Sequence, residues 1–289
     1  MGLFSFAIPF FATFFGGVCL SDNIIVKNRK VTVFSDKVKK DCRFVFITDI
    51  HGKFFPDKPF GNNYDGLVKL IKKQNPDFVI IGGDAITAKY DIKIKQGIEL
   101  ARALSKEFKV YYGIGNHEAK LDWEKNMAVP ISLKEYERMV KQSGATVLDN
   151  VSAKLDEYNV ELFGLNLPEE YYDKKHERKL EVYRILEKLD VEDDGAFNIL
   201  LAHNPEYAYA YRKLPTDMIL SGHMHGGLLR LPGGRGFITP RFKFGKEKCW
   251  GVYRYGKITH VISQGLANHT LPVRIFNPGE IVTVNVKKK

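Results

Sequence analysis

The chain has 289 residues, 44% of them hydrophobic and 27% charged, with no repeat, no Pro- or Ser-rich linker and only three lysines as a low-complexity tail. This length and composition predict one large α/β domain with a sizeable core, and three cysteines without CxxC spacing exclude a disulfide framework. The net charge of +10 favours an anionic partner, but lysines spread along amphipathic segments serve solubility equally well, so nucleic acid is not the expected partner.

The first predicted element is an apolar segment. Residues 1–20 contain no charged side chain and six phenylalanines. A helix needs about twenty apolar residues to cross a bilayer, so we expect residues 1–22 to be a membrane anchor or signal segment and residues 23–289 to be the catalytic domain. Basic residues after the segment would by themselves place the domain in the cytoplasm, yet the side of the membrane and cleavage of the segment stay open. An apolar strand or helix packed on the domain is the alternative.

Five short apolar runs follow, at residues 44–48, 78–81, 110–114, 199–202 and 218–220. Such continuous runs are typical of strands buried on both faces. Apolar residues at helical spacing lie between them: Leu67, Leu70 and Ile71; Ile98, Leu100 and Leu104; and Leu180, Val182, Leu186 and Leu189. The alternation predicts a layered α/β architecture. Residues 250–255 and 258–263 flank a Tyr-Gly-Lys turn, residues 281–286 alternate as a terminal strand, and we expect this tail to complete a second sheet.

Polar residues follow each of the five apolar runs. They are Asp49, His51, Asp84, Asn116, His117, His203, His223 and His225. Residues at the carboxyl ends of neighbouring strands converge on one edge of a sheet. Carboxylate, imidazole and amide oxygen suit hard or borderline divalent ions, and no cysteine lies in the clusters to favour a softer metal. The sequence therefore predicts a metal site at this edge.

The spacing of the ligands suggests how they share ions. Asp49 and His51 are two residues apart, as are His223 and His225, so each pair would point the same way from an extended strand end or one loop face, and Asp84 could bridge two ions. Two ions about 3.5 to 4 Å apart would lower the pKa of a bridging water towards about 7 and favour hydroxide attack on phosphorus. His117 would then contact the phosphoryl oxygen or protonate the leaving alkoxide.

The motifs Asp49-Ile50-His51, Gly83-Asp84, Gly115-Asn116-His117-Glu118, His203 and Gly222-His223-Met224-His225 resemble those of the calcineurin-like metallophosphoesterase superfamily, over nearly everything from residue 42 onwards. The resemblance implies a four-layer αββα sandwich of the α/β class and a dinuclear centre. It assigns Asp49, His51, Asp84 and His225 to one ion, and Asp84, Asn116, His203 and His223 to the other. Asn116 and His117 would be the catalytic pair, and the ions would be Mn, Zn or Fe.

Motifs near the end of the chain resemble a bacterial branch of membrane-associated phosphodiesterases that includes UDP-2,3-diacylglucosamine pyrophosphatase-type enzymes. They are Leu220-Ser221-Gly222-His223, Arg230-Leu231-Pro232, Gly265-Leu266-Ala267-Asn268 and Pro272-Val273-Arg274. The chain departs from the superfamily in two places. Thr87 stands where many members have an Asp that orients the catalytic histidine, and Leu228 follows Gly226-Gly227 where Gln is common.

We therefore expect a metal-dependent hydrolase of phosphodiester or pyrophosphate bonds. Its substrate would be a phosphorylated lipid or nucleotide-lipid at a membrane, or a small-molecule phosphodiester. A nuclease or cyclic-nucleotide phosphodiesterase is one alternative, and a non-catalytic envelope-binding module is another. Arg230 and Arg274 are candidate substrate contacts, because guanidinium matches phosphate oxygens at two points, although salt bridges would explain them equally well. Tyr111, Tyr112, Tyr171 and Tyr172 could stack on a base, and the sequence does not distinguish among them. His260 is expected to be structural.

Overall fold

The computed structural model describes residues 25–55, 61–88, 93–123, 131–173, 178–227, 229–230, 236–238, 248–267, 274 and 276–289. The predicted anchor at residues 1–22 lies outside this set. Within it, no helix combines the length and apolar character that crossing a bilayer would require.

Fourteen strands are described in this part of the chain. They are β1 (Val26–Ser35), β2 (Cys42–Ile47), β3 (Phe78–Ile81), β4 (Lys109–Gly113), β5 (Thr146–Leu148), β6 (Val151–Leu155), β7 (Val160–Leu165), β8 (Phe197–Ala202), β9 (Met218–Ser221), β10 (Leu229–Arg230), β11 (Gly236–Ile238), β12 (Gly251–Tyr255), β13 (Ile258–Ile262) and β14 (Gly279–Lys288). One six-stranded sheet has the order β1-β14-β2-β3-β4-β5, the other has the order β12-β13-β9-β8-β7-β6, and β10 and β11 pair separately.

The helices are α1 (Asp65–Lys72), α2 (Ile94–Ser105), α3 (Asn116–Ala119), α4 (Leu133–Gln142), α5 (Val182–Leu186) and α6 (Ala208–Tyr211), with 3-10 turns at Lys120–Asp122, Glu169–Tyr171 and Pro205–Tyr207. Three apolar cores separate the layers. Phe44 and Leu220 belong to the core between the two sheets. Helices α1, α2 and α4 cover the outer face of the first sheet, and α5 and α6 cover that of the second. The expected αββα sandwich is confirmed.

All five apolar runs form strands, namely β2, β3, β4, β8 and β9, as predicted. The third helical pattern yields only Val182–Leu186, and the flanking Leu180 and Leu189 are buried from irregular backbone. The hairpin of β12 and β13 joins the second sheet as expected.

The terminal strand does not complete the second sheet, contrary to the prediction. Strand β14 runs between β1 and β2 of the first sheet, parallel to β1 and antiparallel to β2. The alternation predicted for this strand is present, since Val282, Val284 and Val286 all face the core between the sheets. Which sheet a strand joins depends on pairing with residues more than 200 positions away, for example Val284 with Phe44, and periodicity carries no information on that pairing.

Candidate metal centre

The predicted ligands meet in the cleft where the carboxyl ends of strands from both sheets converge. Asp84 Oδ2 lies 3.2 Å from His203 Nε2 and 4.0 Å from His51 Nε2. Asp49 Oδ1 lies 3.5 Å from His225 Nε2 and 3.9 Å from His203 Nε2. All five residues are buried, so the donor atoms face one another in a space largely closed to bulk solvent.

Among the described residues, three groups of donor atoms are close enough to hold an ion: Asp49, His51 and His225; His51, Asp84 and His117; and Asp84, His203 and His223. The first and third groups fall within the two ligand sets that the family resemblance implies. Asp84 belongs to two of the groups, as a bridging carboxylate would. The second group includes His117, which therefore lies within reach of the same space as the ligands.

The backbone at the ligands is not extended, contrary to the expectation for Asp49 with His51. Five candidate ligands have left-handed φ values: Asp49 at 54°, His51 at 51°, Asp84 at 51°, His223 at 68° and His225 at 49°. Such values are uncommon for residues other than glycine and cluster at functional sites. Hydrogen bonds between neighbouring loops hold the geometry, including His51 N to Asp84 O at 3.0 Å and Ala267 N to Asp49 O at 2.8 Å.

The tautomers of three histidines are set by backbone carbonyls behind the site. Nδ1 of His51, His203 and His225 lies 3.3, 2.8 and 2.9 Å from the carbonyl oxygens of Ile86, Gly82 and Ala267. A carbonyl oxygen only accepts, so each Nδ1 carries the proton. The Nε2 lone pair of each neutral ring is then directed into the cleft, which is the usual arrangement of a metal-binding histidine.

The Asn116 amide tests whether the cleft fits a cation. Its inward end lies 2.7 Å from His223 Nδ1 and 3.3 Å from Asp84 Oδ2. Asp84 Oδ2 only accepts, so an amide oxygen that faces it is stabilised when a cation lies between the two oxygens, and His223 Nδ1 lies close enough to be a ligand of the same cation. Without a cation, the amide turns to donate to both atoms, and its oxygen accepts from Lys120 Nζ at 3.2 Å. The donor set therefore fits a divalent ion.

The buried carboxylates and histidines in the cleft shift one another's pKa values. Burial raises the pKa of Asp49 to about 7, although His203 opposes the rise. Burial also acts to raise the pKa of Asp84, but His203, His117 and His51 outweigh it and hold that pKa well below the usual range. The pKa of His203 reaches about 10, because Asp84 and Asp49 overcome the effect of burial. A proton on His203 thus balances the carboxylates, and a bound cation would displace it.

The structure answers what orients His117 in a chain that has Thr87 in place of an aspartate. The Ala88 backbone N–H donates to His117 Nδ1 at 3.0 Å. This nitrogen must keep its lone pair, so the neutral ring carries its proton on Nε2. Thr87 instead holds the ligand loop, since its Oγ1 donates to the His51 carbonyl oxygen at 3.1 Å.

Glu118 is a supporting residue whose role the sequence did not reveal. It is fully buried, and its carboxylate accepts from the N–H groups of Asp84 and Ala85 at 2.8 Å each and from Gly115 N–H at 3.1 Å. Tyr112 Oη donates to it at 2.9 Å. Glu118 therefore fixes the loop that presents Asp84. The available signal was its place three residues after Gly115, which is the spacing of a capping box.

Two glycines beside the ligands are explained by close approach. A Cβ atom on Gly222 would lie 2.3 Å from Asp49 Oδ2, and one on Gly115 would lie 2.3 Å from Asp84 Oδ1. Any side chain at either position would displace a metal-facing carboxylate. Convergence of the loops therefore requires glycine directly before Asn116 and His223.

Arg274 does not have the substrate-binding role expected of it. Only 1% of the residue is exposed, and its guanidinium donates to the carbonyl oxygens of Gln264 at 3.0 Å, Ala267 at 2.9 Å and Asn277 at 3.2 Å. The carbonyls occupy the donors that a phosphate would need. Arg274 instead braces residues 264–267, which hold Asp49 and His225 in place. Arg230 lies in β10, and its side chain is outside the described part of the structure.

Comparison with known proteins agrees with this geometry. The sequence model of the calcineurin-like phosphoesterase family matches residues 42–227. An uncharacterized metallophosphoesterase of Campylobacter jejuni is 29% identical, with 90% of this chain and 63% of the relative covered. A phosphodiesterase of Escherichia coli is 23% identical over 66% of this chain and 63% of its own length. An uncharacterized metallophosphoesterase of Aquifex aeolicus is 23% identical, with 97% and 99% covered.

The chain thus spans less than two thirds of the length of the Campylobacter relative. All eight residues that converge in the cleft lie within the matched region. Seven of them lie within residues 49–223, and His225 lies two residues before the match ends. On the family match and the shared donor geometry together, the chain belongs to the calcineurin-like phosphoesterase family.

Proposed function

We propose that the protein is a metal-dependent phosphoesterase that holds two divalent ions and hydrolyses phosphodiester or pyrophosphate bonds. The observation that carries this proposal is the position of Asp84 Oδ2, 3.2 Å from His203 Nε2 and 4.0 Å from His51 Nε2, because one carboxylate then reaches candidate ligands on both sides of the cleft. Family membership supports the reaction type, and the E. coli relative supports a diester substrate because it is named a phosphodiesterase. Mn, Zn and Fe all suit these oxygen and nitrogen donors.

Two ions bound in this cleft would activate a water for attack on phosphorus and stabilise both oxygens of an in-line displacement. Side chains of the protein would hold the ions and donate the proton. One side of the cleft is formed by Asp49, His51 and His225, and the other side by His203 and His223. His117 presents its Nε2 proton to a phosphoryl oxygen or the leaving alkoxide, because Ala88 N–H occupies its Nδ1.

The proposed substrate is a phosphorylated lipid or nucleotide-lipid at a membrane surface, with the protein associated with that membrane through residues 1–22. The apolar composition of that segment and the net charge of +10 support this proposal. The point of attachment also supports it. Val26 pairs with Gly279, and Glu280 N donates to the Gly265 carbonyl, in the loop that contacts Asp49. Strand β1 therefore begins at the edge of the sheet that carries the metal cleft.

The test is hydrolysis of bis(p-nitrophenyl) phosphate by the full chain after metal removal and after addition of manganese. We expect activity only with metal, and a loss of at least 100-fold in kcat in an Asp84→Asn variant, since removal of one electrostatic contact at a reacting centre costs about 10²–10³. Asp156→Asn is the matched control, because Asp156 is exposed and should leave kcat unchanged. Manganese bound without turnover of any phosphodiester would contradict the proposal and favour a binding module.

A further inference from the structure

Two aromatic rings, those of Trp123 and Tyr172, lie beside the metal cleft. The Tyr172 ring meets the ring of His223 edge to face, with centroids 5.4 Å apart. The Trp123 ring lies 6.0 Å from the Tyr172 ring at an interplanar angle of 37°. Both side chains are half-buried, so the cleft continues outwards from a candidate ligand onto an aromatic surface. We call this pair the aromatic shelf.

A cation lies between the shelf and the metal ligands. Lys120 Nζ is 5.4 Å from the centre of the Trp123 ring and 3.2 Å from the outer end of the Asn116 amide. Positive charge and aromatic rings therefore stand side by side within contact distance of two candidate ligands. In proteins that bind single-stranded nucleic acids, aromatic rings stack on any base and positive charge attracts the phosphates, so the same pairing of groups suits a single nucleotide.

The packing of the shelf distinguishes it from the other aromatic residues considered from the sequence. Tyr112 and Tyr171 are buried, and Tyr111 packs against the core between the sheets. Trp123 packs against the outer core of the first sheet and Tyr172 against that of the second. The two rings thus meet across the two halves of the molecule beside His223, which is only half-buried, so a substrate could extend onto them from the reacting phosphorus.

We infer that Trp123 and Tyr172 bind a planar nucleobase of the substrate, with Lys120 contacting a phosphate next to it. This inference rests on the proposed function and narrows its substrate to a nucleotide-containing phosphodiester or pyrophosphate. The shelf lies on the His223 flank, while His117 packs edge-on against the His51 ring at 4.9 Å. The base is therefore held beside His223 rather than beside the His51 ring.

The test compares binding of AMP and ribose 5-phosphate to the manganese-loaded full chain by isothermal titration calorimetry. The two ligands share ribose and phosphate and differ by the base, and both are monoesters, as the products of a phosphodiesterase would be. Stacking contributes about fivefold to a hundredfold per base, so AMP should bind at least about fivefold more tightly. Trp123→Ala and Tyr172→Ala should bring the ratio of the two Kd values close to one.

Conservative and distant variants complete the test. Trp123→Phe and Tyr172→Phe keep a ring and should retain most of the ratio, even if the alanine variants fold poorly. Phe34→Ala removes an exposed ring near the opposite end of β1 and should leave the ratio unchanged. Equal Kd values for the two ligands in the wild type, no measurable AMP binding, or an unaltered ratio in the alanine and phenylalanine variants alike would overturn the inference.

Turnover of bis(p-nitrophenyl) phosphate, measured on the same preparations, separates the two proposals. Turnover with equal binding of AMP and ribose 5-phosphate would overturn the shelf and leave the phosphodiesterase. Base-dependent binding without turnover would support the shelf and contradict the phosphodiesterase.

Discussion

The burial of His260 should make the stability of the protein depend on pH. Its ring is fully buried. Ser221 Oγ donates its one proton to the Ala202 carbonyl oxygen at 2.6 Å, so it accepts from His260 Nε2 at 2.9 Å. These contacts join β13 to the ends of β8 and β9, one residue before the candidate ligand His203 and two residues before the candidate ligand His223. Burial, with smaller contributions from the positive charges of Lys248 and Arg212, lowers the pKa of His260 to about 3.

The magnitude follows from the difference between folded and unfolded protein. An unfolded histidine takes up a proton near pH 6.5, whereas His260 stays neutral until about pH 3. The stability it contributes is therefore complete above pH 6.5 and is lost as the pH falls from 6.5 towards 3. Each pH unit in that window is worth about 1.4 kcal/mol, so the unfolding free energy should lose about 2 kcal/mol between pH 8 and pH 5 through this residue alone.

His260→Gln removes the titration and keeps an amide that can reach Ser221. Urea unfolding of metal-free wild type and variant at pH 8 and pH 5 gives four free energies, and other titrating groups cancel in the difference between the proteins. We expect the gap between wild type and variant to change by about 2 kcal/mol over this range, in favour of the variant at pH 5. Parallel pH profiles for the two proteins would refute the reasoning, because His260 would then titrate alike in both states.

Two further predictions concern the metal centre. Arg274→Ala leaves buried carbonyl oxygens without donors and should lower the unfolding free energy by about 3 kcal/mol or more. Manganese should also bind more weakly, because the loop that holds Asp49 and His225 loses its support. Urea unfolding measures the stability and calorimetry the manganese affinity, and an unfolding midpoint equal to that of the wild type would contradict the prediction. Manganese affinity should rise from pH 6 to pH 9, because the metal must displace the proton that Asp84 and Asp49 stabilise on His203, whose pKa is about 10 in the metal-free protein. Titration calorimetry in two buffers of different ionisation enthalpy should also detect proton release, and a pH-independent affinity without release would contradict it.

Much of the centre could be predicted from local sequence. The runs that became β2, β3, β4, β8 and β9 are short and apolar because these strands are buried on both faces, and each is followed by a candidate ligand. Convergence at one sheet edge then follows from strand direction alone.

The supporting contacts could not be predicted, because they join residues far apart in the chain. Arg274 was expected to meet a phosphate, and nothing local shows that carbonyl oxygens of residues 264–267 already occupy its donors. Ala88 orients His117 through a backbone N–H that any residue but proline would supply, so no side-chain pattern marks it. Glu118 was visible as part of a motif, but not as an acceptor for the loop of Asp84.

The sequence by itself was enough to predict the candidate ligands and the layered α/β class, since both depend on residue type and on periodicity within single strands and helices. Only the tertiary structure decided which sheet β14 joins, the left-handed backbone at Asp49 and His225, and the meeting of Trp123 with Tyr172 at the cleft. The physical reason is that each of these depends on packing between segments that are distant in the chain, and such packing leaves no periodic trace in either segment alone.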